Sequence, residues 1–413
     1  MKAYSPGLNR QLTQAETHFV FSHLKMVVES SLDWESSISY TADQPAQSNG
    51  KIIIPCSTES LSTSFRIGNI PVLFPCSESK DPFYEEENSV IFNHDFIKSV
   101  FYLLSGYQEL DPNVSRDNLG RFTYKGSIQE KLDIAFVPVV NYYIDWITKG
   151  IERWCTLNKV AFKRVTLFKT PVMHLTHNVR RTNYFKTSRI VDGWLQVLGM
   201  RPLDMPRKVK FKAMAYATKH ALKLDIVDNP WWTFESVMNI EQQLGFFSSW
   251  FFLTDDSNPE DRGGISLHNA DIKHIMHSMG KRGFDVGILL PQNNQSTESI
   301  TSAYQYLHNC YNEALPYVRK NLYTLNSPND ISKLETSSIL VDCSLHFPDY
   351  NGFRNSYCLP FYPFDHENQK VYGILEIPLA INASNFIKNN VPDEKVFEII
   401  ERLLDEIRSF NGM

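Results

Sequence analysis

The chain predicts an α/β protein built on a parallel sheet, and three observations carry that prediction. From about residue 165 onward, short apolar runs of strand length alternate with segments of helical periodicity. Its 413 residues, 42% hydrophobic and 21% charged, have ordinary globular composition, enough for one large domain and a smaller one. Strands that alternate with helices argue for a parallel sheet covered by helices, either open or closed into a barrel.

The first part of the chain reads differently. Residues 15–30 place Phe19, Phe21, Leu24, Met26, Val27 and Val28 on one broad side of a helix. Short strands follow at 37–40, 51–55, 65–67 and 71–74, with a polar loop at 41–50. The acidic stretch 81–88 reads as a loop. Residues 95–110 form a helix with Ile97, Val100, Phe101, Leu104 and Tyr107 on one face, 118–122 a turn, and 138–154 another helix. In the second part the expected strands are 171–179, 246–253, 284–291, 338–343 and 371–378. The expected helices are 233–244, 269–281, 297–315 and 393–410. The last has Val396, Ile400, Leu403, Ile407 and Phe410 at helical spacing, with Pro392-Asp393-Glu394 at its start.

Several classes are excluded. The formal net charge of -5 gives no general pull toward nucleic acid, so none is expected as a partner. No run of about 18 apolar residues occurs, so no membrane span is expected. Met1 to Arg10 contains no apolar signal region. Six scattered cysteines, without a Cys-x-x-Cys pair or zinc spacing, read as reduced core thiols and predict a cytoplasmic protein; a Cys56–Cys76 disulfide is the open alternative. Serine-hydrolase and phosphate-loop signatures do not occur.

Certain short motifs carry a resemblance. They are Phe101-Tyr102-Leu103-Leu104-Ser105-Gly106-Tyr107 and Asp117 to Phe122 in the first part, then Leu175-Thr176-His177, Gly283-Phe284-Asp285-Val286-Gly287, Val341-Asp342-Cys343-Ser344-Leu345, Gly352-Phe353-Arg354-Asn355 and Glu376-Ile377-Pro378-Leu379. In this order and spacing the chain resembles NodB-type polysaccharide deacetylases, in a two-domain bacterial subgroup. The resemblance implies a small α/β domain over residues 1–160. A distorted (β/α) barrel would follow over 161–413, with a basic insertion near 200–230. It also implies removal of acetyl groups from N-acetylated sugars by a metal-bound water. A divalent metal lowers the pKa of that water and polarises the amide, while an aspartate takes the proton.

At the positions where the resemblance implies that machinery, this chain carries other residues. The base position is Asn178, and an amide does not accept the proton. The carboxylate ligand position is Arg180, a fixed cation. The metal histidine position is Leu289, and a further histidine position is Asn321. No catalytic residue, no metal ligand set and no cofactor is therefore expected. The expected function is that of a catalytically inactive deacetylase-like protein that binds a glycan or a protein partner. Its ligand-binding candidates are His177, Asn178, Arg180, Asp342, Arg354, Trp231 and Trp232.

Two alternatives stay open. One is a divergent zinc-type deacetylase that rebuilds a site from His174, His177, His268 and carboxylates such as Asp255. His174 and His177 lie three apart on a strand, hence on opposite faces, and hydrogen-bonded structural histidines are the plainer reading. The other is a structural subunit of a larger assembly. The basic run Arg201 to Lys223 would then dock a partner through Lys208, Lys210 and Lys212. Arg180 reads more simply as an ion-pair partner of Asp342 or Asp255 than as an anion site.

Overall fold

A computed structural model describes residues 8–30, 33–42, 50–182, 187–203, 206–222, 229, 231–254, 267, 269–291, 296–321 and 329–413. The chain forms two compact units, one of residues 1–173 together with 322–413, the other of residues 174–321. This division follows packing, and it differs from the division by pattern at 160/161. Among the described residues no helix is long and apolar enough to cross a membrane.

The first unit contains a four-stranded sheet in the order 38–41, 52–55, 89–92, 83–86. Its first three strands are parallel, and a hairpin joins Phe83–Glu86 antiparallel to Ser89–Phe92. Ile52, Ile53 and Ile54 are buried in succession, as expected of a strand covered on both faces. The helices Phe96–Leu104 and Val139–Leu157 pack beside this sheet. The helix expected over 95–110 stops early because Gly106 adopts a left-handed φ of 67°, after which Tyr107–Leu110 continue as a 3-10 turn. The helix expected over 15–30 spans only Gln14–Lys25, because Val28–Ser30 pairs as a strand with Phe162–Arg164.

Residues 329–413 complete this unit. Their parallel strands Val341–Asp342 and Leu375–Glu376 are shorter than the runs expected at 338–343 and 371–378. The turn Gly352-Phe353-Arg354 needs its glycine: φ is 131°, and a Cβ there would lie 2.3 Å from the Ala135 carbonyl oxygen. The helix Asp393–Ser409 buries Leu403 and Ile407 against Phe353 and Cys358.

In the second unit, four parallel strands lie in the order 317–320, 285–290, 249–253, 176–179. Each successive strand is added on the same side of the last. With right-handed crossovers, the helices Phe234–Gln243, Ala270–Lys281 and Thr297–Cys310 therefore cover one face of the sheet. The other face carries Thr176, Asn178, Phe251, Gly287, Leu289 and Arg319. Gly287 is glycine because the Phe251 ring lies over it, where a Cβ would meet ring carbons at 3.0 Å and the Tyr317 carbonyl at 2.9 Å. The helices Thr187–Val197 and Arg207–Ala221, the second within the basic stretch near 200–230, close a small core of Ile190, Trp194 and Ala217. Among the described strands no ladder closes on itself.

Candidate functional site

The strand Thr176–Val179 ends the apolar run that begins at Pro171, and its alternation sorts the polar side chains. Thr176 and Asn178 face away from the helices. There Arg319, 2% exposed, donates from Nη1 to Thr176 Oγ1 at 2.8 Å and to Asn178 Oδ1 at 3.3 Å. Its guanidinium also lies 4.6 Å from the centre of the Phe251 ring. Leu289 pairs in register with Arg319 and is fully buried. Arg180 follows the strand two residues after Asn178 and is half-buried. Asn321 is fully buried just beyond the strand Tyr317–Lys320.

The strand Tyr317–Lys320, which brings Arg319 to this face, was not legible as a strand. Two consecutive cations look like surface, yet Arg319 and Lys320 are both buried. The signal that could have found Arg319 is its place just before Asn321, in the segment already compared with the deacetylase motif.

The two histidines turn to opposite sides of the strand. His177 Nε2 meets Glu241 Oε1 at 2.7 Å on the helix side, and its ring lies 4.2 Å from that of Trp250. Glu241 also accepts from Ser248 Oγ at 2.6 Å. His174 Nε2 meets Ser249 Oγ at 2.8 Å, and Ser249 in turn lies 3.4 Å from Asp285 Oδ2. Burial, with a smaller push from the Arg319 charge, lowers the His174 pKa to about 4 and keeps this ring neutral. Asp255 and His268 lie outside the described residues. Among the described residues no group of three or more His, Cys, Asp or Glu side chains is placed to hold a metal ion. An amide that already accepts a guanidinium N–H, a second guanidinium and a buried leucine do not make a donor set for a divalent cation.

Asp342 and Arg354 belong to the other unit, where they build a polar core. Asp342 and Glu376 are register partners on adjacent parallel strands, 0% and 1% exposed. Ser344 Oγ donates to Asp342 Oδ1, and the Leu345 amide donates to Glu376 Oε1 at 3.1 Å. Burial first, and the Asp342 charge second, push the Glu376 pKa well above the ordinary carboxylate range. Glu376 therefore keeps its proton to a higher pH than an ordinary carboxyl group does. Arg354 donates to both carboxylate oxygens of Glu109, at 2.6 and 3.0 Å, and to the His346 carbonyl at 2.9 Å. With both side chains 1% exposed, this ion pair is committed to the core, and Arg354 does not present its guanidinium to solvent.

Of the tryptophans, Trp231 is half-buried and Trp232 is 38% exposed. Lys208 and Lys212 are exposed on the helix Arg207–Ala221, whereas Lys210 is 7% exposed and points into the insertion. All six cysteines are free thiols, so Cys56 and Cys76 are not joined.

A family model described as a family of unknown function (DUF7033) matches residues 8–155, all within the first unit. No curated protein and no solved structure matches the chain.

Proposed function

We propose that this protein is a non-hydrolytic relative of the NodB-type polysaccharide deacetylases, acting by binding a glycan. One observation carries the reading. The sheet face bearing residue 178 presents Arg319 bonded to Asn178, with buried Leu289 beside it and Arg180 next along the strand's alternation. That surface has cations and an amide where deacetylase chemistry needs carboxylates and imidazoles around a dication. The same-sense crossovers of the four parallel strands support a barrel of the distorted (β/α) type. Six cysteines without a disulfide between them support a cytoplasmic setting.

The test is direct. Purified full-length protein is assayed for bound zinc, cobalt and nickel and for acetate release from N-acetylated oligosaccharides. The expected result is substoichiometric metal and no acetate. Stoichiometric metal together with acetate release overturns the reading in favour of a rebuilt deacetylase.

A second reading, docking of an acidic protein partner, has its own observation. The helix Arg207–Ala221 contains no acidic residue and exposes Lys208 and Lys212 beside Val209 and Phe211, each of the latter 53% exposed. Charge reversal at Lys208 and Lys212 that leaves every co-purifying partner in place removes it.

A further inference from the structure

The second unit holds an open pocket of about 350 Å³ lined by Trp232, Glu235, Asp271, His274 and Ile275. That volume lies at the low end of ligand-sized clefts. Two helix starts build it. Trp232 and Glu235 stand at the entry of Phe234–Gln243, while Asp271, His274 and Ile275 share one face at the start of Ala270–Lys281. Both helices follow strands of the parallel sheet, so the pocket lies toward the carboxyl ends of those strands. Sheets of this kind receive ligands on that side.

The indole is held in place. Phe234 meets Trp232 edge-on at 5.1 Å and 82°, and packs in turn against Trp250 at 5.6 Å and Phe252 at 6.3 Å. The core thus fixes a large aromatic ring that is still 38% exposed. Water-exposed apolar area forgoes about 25 cal/mol per Å², which a flat C–H surface laid on the ring would recover. Glu235 is oriented by Arg282 Nη1 at 2.8 Å, and Arg282 is itself held by Asn239 and Gln242, each at 2.6 Å. The lining has two carboxylates and an imidazole, and none of its five residues is Lys or Arg.

We propose that this pocket binds a protonated amino sugar within a glycan. The apolar face of the pyranose stacks on Trp232, the ammonium faces Asp271, and His274 serves a hydroxyl, while Glu235 keeps its ion pair with Arg282. A fixed aromatic face selects a flat sugar ring. The Asp271 carboxylate selects a positive charge, with a further cation–π contribution from the indole. A neutral N-acetylated ring lacks that charge, and a uronic acid is repelled. The inference rests on the glycan-binding reading above and narrows it to one pocket and one sugar class.

The test is calorimetric titration of the full chain at low salt with three probes: a glucosamine tetramer, its fully N-acetylated counterpart, and spermidine. The glucosamine tetramer is expected to bind about tenfold or more tighter than the acetylated one. Trp232→Ala is expected to weaken it by about tenfold or more, and Asp271→Asn to abolish the preference for the free amine. Asp271→Asn should melt with the parent, since that side chain is exposed, and Trp232→Ala should stay folded with a modestly lowered melting temperature, since it loses the contact with Phe234. No binding of the glucosamine tetramer at about 10 mM overturns the proposal, as does spermidine binding equally well. Glycan binding that survives both substitutions overturns this pocket but leaves the broader reading standing. Acetate release by the parent overturns the non-hydrolytic reading and leaves the outcome of the Trp232 variant intact.

Discussion

Glu376→Gln should change how stability depends on pH, and the sign follows from the buried pair. In the native state Glu376 holds its proton to well above the ordinary range, because it is buried beside Asp342. In the unfolded chain it releases that proton near 4.5, the ordinary value of a glutamate side chain. Between those two pH values the native state binds one more proton than the unfolded state. Stability is then full below about pH 4.5 and falls as pH rises, by about 1.4 kcal/mol per pH unit at most. Glutamine keeps an acceptor for the Leu345 amide and offers Asp342 an N–H in place of the carboxyl proton of Glu376. The variant should therefore gain stability relative to the parent as pH rises from 5 to 8. Urea unfolding of parent and variant at pH 5, 6, 7 and 8 reads the difference. Buried histidines that titrate with the opposite sign, His23 and His174, are common to both proteins and cancel. Parallel stability curves for the two proteins would refute the raised Glu376 pKa.

Three further outcomes follow from named contacts. Glu109→Ala strands the buried Arg354 guanidinium and should cost about 3–5 kcal/mol in urea unfolding, whereas replacing Glu109 and Arg354 together with Met should recover much of it. Gly352→Ala combines a φ of 131° with a 2.3 Å approach to the Ala135 carbonyl, and should cost about 1–3 kcal/mol or more, read as a lowered melting temperature. Arg319→Ala removes donors from Thr176 and Asn178, at about 1.5–3 kcal/mol, and should raise the His174 pKa from about 4, measured by NMR titration of the imidazole.

Legibility in the sequence followed the range of the forces involved. The strands Ser249–Leu253 and Asp285–Leu290 announce themselves locally, because Trp250 to Leu253 and Ile288 to Leu290 are apolar runs, whereas Thr176–Val179 shows only as the polar end of the stretch that starts at Pro171. The alternation of strands and helices then gives a parallel sheet without reference to distant residues. What could not be seen were charges compensated from far away. Arg319 is buried because Thr176 and Asn178, more than 140 positions earlier, accept its protons and Phe251 lies under it. Arg354 looked like a ligand group until Glu109, 245 positions away, took both of its arms. Lys210 reads as one more cation in a basic run, yet its helix turns it inward. The polar positions of the candidate site were thus recognisable as unusual. Which of them face a ligand and which face each other depends on pairings that no local pattern encodes.

The second unit offers a glycan two different surroundings, and this separates the ways one could bind. Around Asn178 the neighbours are guanidinium groups: Arg319 donates to Asn178, and Arg180 follows in alternation. Beside Trp232 the Asp271 carboxylate is exposed, while Glu235 is paired with Arg282. The charge of the sugar therefore reports the site. A free-amine oligosaccharide should use the Trp232 pocket and weaken with salt. A uronic-acid oligosaccharide should not compete with it for that pocket, and Asp271→Asn should remove this discrimination. Tight binding of a dication by the parent protein would contradict the charge assignment on the arginine side, whatever glycan it carries.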